Sequence, residues 1–269
     1  YWYGGILDRD PACSMKVDEA WFGHHACEWA NQRIWGVHRR GQDLTQHLHY
    51  YAELLKNTLY EFTRRFAIDI LVVENALCIP MHVSLGVGIT TFLAETGMPA
   101  IAHHHDFHWE RDRFKRHAVG DLLSMAFPPV LPSLQHVVIN SLARIDLAAR
   151  RGVPSTVIPN VHDFETPPPT EEPYPADMRA GLGFAADDII ILQPTRVIPR
   201  KGIPHAINLV EMLKLPKAKL VVSHRTGDEG QDYKHFLQEL AGRRGVELVF
   251  IDDRIGEYRA TDGQGRKVY

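Results

Sequence analysis

Cysteine is scarce: Cys13, Cys27 and Cys78 are the only three in 269 residues. They have neither C-x-x-C spacing nor the even count of a disulfide framework. This excludes a cystine-stapled scaffold and favours a reducing compartment with unpaired thiols. Long apolar runs are missing too. None approaches the roughly 18 to 20 residues needed to span a bilayer, so a soluble, cytoplasmic protein is expected, with no membrane contact indicated. An excess of either charge is also lacking. The formal net charge of −3 gives no electrostatic footprint for nucleic acid. The signatures G-x-S-x-G, Walker A and G-x-G-x-x-G are absent, which removes the esterase elbow, the P-loop and the usual dinucleotide fingerprint.

What is present is an ordinary core-forming composition, 45% hydrophobic and 23% charged, in a chain long enough for one large or two ordinary domains. Beyond a poorly patterned start, Leu44, Leu48, Tyr51, Leu55, Leu59, Phe62 and Phe66 recur in steps of three and four and predict a long amphipathic helix from Asp43. Strands are then predicted at 68–75, 99–105, 135–140 and 155–159. They alternate with helices marked by Met81 to Phe92, by Trp109 to Phe127, and by a segment from Ser141, as cap, to Gly152. A Pro-rich stretch, Thr166 to Pro175, has linker composition. After it the alternation restarts: strand 189–192, helix 202–214, strand 219–223, helix 231–242, strand 247–251. Such alternation implies mostly parallel sheets. The reading is α/β, with a domain over 1–165, a linker over 166–183 and a second domain over 184–269, whose facing strand ends would form a cleft.

Two constellations carry chemistry. In Ile189-Ile-Ile-Leu-Gln-Pro-Thr-Arg-Val-Ile-Pro-Arg-Lys-Gly202, a buried strand runs into a tight loop carrying Arg196, Arg200 and Lys201, and then into a helix start. Fixed cations at a strand's carboxyl end beside a helix amino end suit a phosphate or diphosphate. The second is Ala102-His-His-His-Asp-Phe-His-Trp-Glu-Arg111. Alternate strand residues share a face, so His103 and His105 could converge while His104 points away. Three readings stay open for this cluster. It could hold a metal, with Asp106 or Glu110 as third ligand; its histidines could be satisfied structurally; or neutral imidazoles could bind substrate hydroxyls. Ser223-His224, Asp228-Glu229 and Asp252-Asp253-Arg254-Ile255 also follow predicted strands of the second half and are candidate substrate contacts.

Pro194-Thr-Arg-Val-Ile-Pro-Arg-Lys-Gly202 resembles the donor-phosphate motif of retaining glycosyltransferases of GT-B architecture, in the glycogen-synthase-like and sucrose-phosphate-synthase-like family of the family 4 type. There an Arg and a Lys five residues later grip the nucleotide-sugar diphosphate, a spacing shared by Arg196 and Lys201. The family also sets a His at the end of an amino-domain strand against the donor sugar, and His104 or His105 is the matching position. Val157-Ile-Pro-Asn160 resembles the segment where such chains leave the amino domain.

The resemblance implies two Rossmann-like domains. It also implies metal-independent transfer of a hexose from a UDP-glucose or GDP-mannose type donor to a hydroxyl acceptor, without a cofactor. By this resemblance Arg196, Lys201, His104 and His105 are the catalytic candidates, while the placement of residues at strand ends makes His103, Asp106, Ser223, His224, Arg254 and Ile255 the candidate substrate contacts. The chain departs from the pattern at Thr195, where the family usually has Gly. The family's donor-binding Glu-x7-Glu segment is expected beyond residue 269, so the second domain reads as incomplete. An epimerase or phosphorylase of the same architecture, and a non-catalytic nucleotide-sugar-binding module, are the alternatives. The sequence leaves the oligomeric state open, a homo-oligomer included.

Overall fold

The computed structural model describes residues 1–166, 177–226, 231–256 and 260–269. Most of the predicted Pro-rich linker, 167–175, and the candidates Asp228 and Glu229 lie outside the described residues. The chain divides into two compact units, Tyr1–His162 and Asp163–Tyr269.

The first unit opens with a two-stranded parallel pair, β1 (Trp2–Gly4) and β2 (Ser14–Lys16). Helices α1 (His25–Ile34) and α2 (Gln42–Arg65) follow. A four-stranded parallel sheet comes next, with strands in sequence order: β3 (Leu71–Glu74), β4 (Ala100–His104), β5 (Leu134–Val138) and β6 (Ser155–Val157). Between these strands run α3 (Val83–Thr96), α4 (Gly120–Ala126) and α5 (Ser141–Arg151). Leu55, Leu59 and Phe62 of α2 meet Ile89, Phe92 and Leu93 of α3, and all six are buried. These two helices approach backbone to backbone at Gly88, where an added Cβ would sit 2.7 Å from the Ala52 carbonyl oxygen. Only glycine fits there without displacing a helix. Gly97 and Gly152 close α3 and α5 in the left-handed conformation, as helix-ending glycines do.

Three local expectations change. The helix predicted from Trp109 to Phe127 is instead two short 3-10 turns, His108–Glu110 and Asp112–Phe114, followed by α4 alone. The segment between is held extended by another part of the chain: Gly36 donates to the Arg116 carbonyl at 2.9 Å, and Ala118 donates to that of Ile34 at 3.0 Å. Tertiary pairing overrides the helical spacing. The strand expected from Ile68 starts only at Leu71, because 66–68 are used to close α2: Ala67 has φ 48° and the Ile68 amide bonds the Thr63 carbonyl. The cap of α5 is Asn140, whose Oδ1 accepts the Ala143 amide at 2.8 Å, and Ser141 is the first helical residue.

The second unit contains a short helix, α6 (Met178–Gly181), and a three-stranded parallel sheet of β7 (Ile189–Gln193), β8 (Ala218–Val222) and β9 (Glu247–Phe250). Helices α7 (Ile203–Leu213) and α8 (Gln231–Arg244) connect the strands. Ile203, Ile207, Leu220, Val222 and Leu237 form its core. The C-terminal stretch holds a two-stranded antiparallel ribbon of β10 (Ala260–Thr261) and β11 (Lys267–Val268). Both sheets are parallel and flanked by helices, so the α/β class read from the alternation is the observed one.

Candidate functional site

In the first unit the strand pleat sorts the histidine run. His103 is the register partner of Glu74, and His104 that of Val138. Residues paired across strands, and residues two apart along one, share a face. Glu74, His103 and His105 therefore project together at the carboxyl end of the sheet. Glu74 Oε2 lies 2.9 Å from His103 Nδ1 and 3.7 Å from His105 Nε2, and the two imidazoles stand 4.7 Å apart between centroids. Asn75, next in the chain, adopts φ 59°. Its amide donates to the His103 carbonyl at 2.9 Å and its Oδ1 accepts the His105 amide at 3.2 Å. That clasp fixes His105 against Glu74 through the backbone.

His104 goes to the opposite face. It is 1% exposed, stacks on His136 and shares a 2.9 Å hydrogen bond with it, Nε2 to Nδ1. Burial pushes the His104 imidazole down to about 3 and that of His136 to about 4, so both are neutral at pH 7. The structure thus brings His103 and His105 together and leaves His104 in the core. Asp106 accepts from Arg111 Nε at 2.7 Å, and Glu110 Oε2 accepts the Phe107 amide at 2.7 Å. Both expected third partners of the histidines are therefore engaged elsewhere, and Glu74 takes that place. Sequence reading missed it because the partnership is set by register between strands 29 residues apart. The available signal was an acidic residue at the end of the preceding strand.

In the second unit, the loop after β7 is anchored from below. Val197 and Ile198 are buried, and the Val197 amide bonds the Arg225 carbonyl at 3.2 Å. Gln193 spans the loop, its Nε2 donating to Thr195 Oγ1 at 3.2 Å and to the Lys201 carbonyl at 3.3 Å. A 3-10 turn, Pro199–Lys201, and Gly202 at φ 66° then lead into α7. Arg196, Arg200 and Lys201 are exposed on this framework. None of the three forms a side-chain hydrogen bond or ion pair among the described residues. Exposed cations close in sequence on an anchored loop at a strand end, without side-chain partners among the described residues, suit an anionic ligand.

After β8, the Ser223 hydroxyl bonds His224 Nδ1 at 2.9 Å, with Ser223 buried and His224 exposed. Arg254 is committed to the fold: its Nε donates to the Lys267 carbonyl at 2.8 Å and its Nη1 to that of Gly181 at 2.9 Å. Ile255 packs on the small cluster of Phe184, Val221 and Ile251. Two residue pairs in the chain have the Glu-x7-Glu spacing. Glu53 and Glu61 both lie on α2, while Glu239 pairs with His235 and Glu247 with Lys219.

No family model matches the chain. It is 33% identical over 218 residues to the mannosylglucosylglycerate synthase of Petrotoga mobilis, a match covering 74% of this chain and 50% of that protein. The mannosylglucosylglycerate synthase of Thermotoga maritima is 34% identical over 204 residues, 70% of this chain and 47% of that one. The chain thus spans about half the length of the curated relatives it matches. Its fold is shared with Anabaena HepE, solved in complex with UDP-glucose, with a TM-score of 0.50 and 16% identity over 72% of this chain and 50% of that one. No helix among the described residues is long and apolar enough to cross a membrane.

Proposed function

We propose that this chain is part of a retaining glycosyltransferase that moves a hexose from a nucleotide diphosphate sugar to a hydroxyl acceptor. The observation that carries the reading is the similarity to two mannosylglucosylglycerate synthases, joined to a loop with three exposed cations that have no side-chain partner among the described residues. Among donors, a mannosyl donor of the GDP-mannose type fits the relatives' name better than UDP-glucose, and a glucosylglycerate-like acceptor fits the rest of that name.

In this reading the second unit holds the donor and the first unit serves the acceptor side. Arg196 and Lys201 hold the diphosphate and stabilise the charge that grows on it as the glycosidic bond breaks, in the role a divalent ion would otherwise take. His103 and His105 hydrogen-bond sugar hydroxyls.

The test is a thermal-shift panel of GDP-, UDP- and ADP-sugars, followed by transfer assays on the full-length protein with glucosylglycerate. A ligand at 100 times its dissociation constant stabilises by roughly 2.7 kcal/mol, enough to rank donors. Stabilisation by no nucleotide sugar overturns the reading. Stabilisation with donor cleavage but no transfer to any hydroxyl favours the phosphorylase or epimerase alternative.

A further inference from the structure

We propose that Glu74, His103 and His105 form a binding site for a divalent transition-metal ion of the zinc class. The donor set is two imidazoles and a carboxylate, which suits first-row transition ions with open coordination positions and does not suit Mg2+ or Ca2+. Their candidate ligand atoms all lie within 4.8 Å of one another. An ion bonded at about 2.0 to 2.2 Å to each donor needs them roughly 3 to 4 Å apart. The contacts of Glu74 Oε2, 2.9 Å to His103 and 3.7 Å to His105, already fall near that range. The Glu74 side chain is 61% exposed and His105 41%, so both can make the small rotations that close the set.

One further observation supports the site. The donors stand on rigid backbone: Glu74 and His103 are register partners in a parallel ladder, and the Asn75 clasp holds His105. His103 Nδ1 is the nitrogen that faces Glu74, so it is the ligand atom, and its ring proton then sits on Nε2. Asp106 and Glu110 are occupied by Arg111 and by the Phe107 amide, so the site has three protein ligands and is open on its solvent side.

The inference leaves the diphosphate assignment of Arg196 and Lys201 untouched but replaces the direct hydroxyl contacts of His103 and His105, so metal binding and transfer are read separately. Its test is titration of tag-free full chain with Co2+ and with Zn2+, followed by calorimetry and, for Co2+, by visible absorption. The wild type is expected to bind one equivalent of each ion, with Co2+ giving ligand-field bands of a four- or five-coordinate centre. Glu74→Gln and His105→Ala, both at exposed side chains that leave folding intact, are each expected to weaken binding at least about tenfold and to abolish the bands, since each removes one of three ligands. Excess Mg2+ should not compete. The chain has 16 histidines, so His24→Ala, at a residue outside the cluster, serves as the control and should bind as the wild type does. Absence of saturable Co2+ and Zn2+ binding by the wild type, or binding unchanged in both variants, overturns the proposal.

Discussion

His104 and His136, on neighbouring strands, face each other in the core through one hydrogen bond of 2.9 Å between Nε2 and Nδ1. Such a bond needs one bare nitrogen and one carrying a proton, so it survives only while the pair is not fully protonated. Burial holds the folded-state values near 3 and 4, below the ordinary 6.5. The unfolded chain therefore takes up protons first as pH falls. Stability from this pair is full above about pH 7, falls as pH drops below about 6.5, and stops falling near pH 3 to 4, at up to about 1.4 kcal/mol per pH unit for each group. His82 and His108, each pushed down by burial to about 4, steepen the same window. Chemical denaturation across pH 4 to 8 should show this slope, and a His104→Phe, His136→Phe double variant should flatten it. A slope unchanged in that variant would assign the acid sensitivity to other groups.

Removing the loop cations should act on function and spare the fold. Arg196→Ala and Lys201→Ala are each expected to cost about 2 to 4 kcal/mol of transition-state stabilisation in the full-length enzyme, read as a drop in kcat/KM. Melting temperatures should move little, because both side chains are exposed and without partners among the described residues. Wild-type rates in Arg196→Ala would remove the diphosphate assignment.

Because protein cations are assigned to the diphosphate, nucleotide-sugar binding should persist in excess EDTA. Thermal-shift titration of the donor with and without chelator checks this. Donor affinity lost on chelation and restored by Mg2+ or Mn2+ would move the diphosphate from the arginine and lysine to a metal.

The two neighbouring histidines should separate cleanly. His105→Ala is expected to weaken sugar turnover with folding intact, at about 1 to 3 kcal/mol for a lost partner to a hydroxyl. His104→Ala should instead lower stability, since it leaves His136 with an unpaired buried nitrogen. His117→Ala should affect turnover least. Equal turnover in His105→Ala and wild type would remove the sugar-hydroxyl assignment of His105.

At the contact between α2 and α3, Gly88→Ala should destabilise by about 1 to 3 kcal/mol, since the new methyl meets the Ala52 carbonyl rather than a movable side chain. Urea denaturation measures it. A neutral result would show that the helices separate easily.

The alternation of elements was legible because apolar spacing of two and of 3.6 reports directly on buried faces, and α2 and β4 follow that spacing, whereas β8 was legible as a short continuous apolar run. The split of His103 and His105 from His104 was legible for the same reason, since it needs only the pleat of one strand. Glu74 and His136 were not, because their roles come from register with another strand and no local pattern encodes a register. The segment between Trp109 and Phe127 misled because helical spacing was present, yet the backbone of 116 to 118 found partners at 34 to 36. In the loop after β7 the cations were visible in the sequence. The Gln193 span that stiffens their loop was not.

The sorting of β4 side chains by the pleat makes this strand intolerant of changes in length. Deleting a single residue between Ala100 and His103 shifts everything after it by one position in the ladder. A buried ring would then turn to the solvent side, and the rings that gather around Glu74 would turn into the core. A one-residue gap at this strand in any natural or engineered variant should therefore be accompanied by a compensating insertion or a bulge before His103.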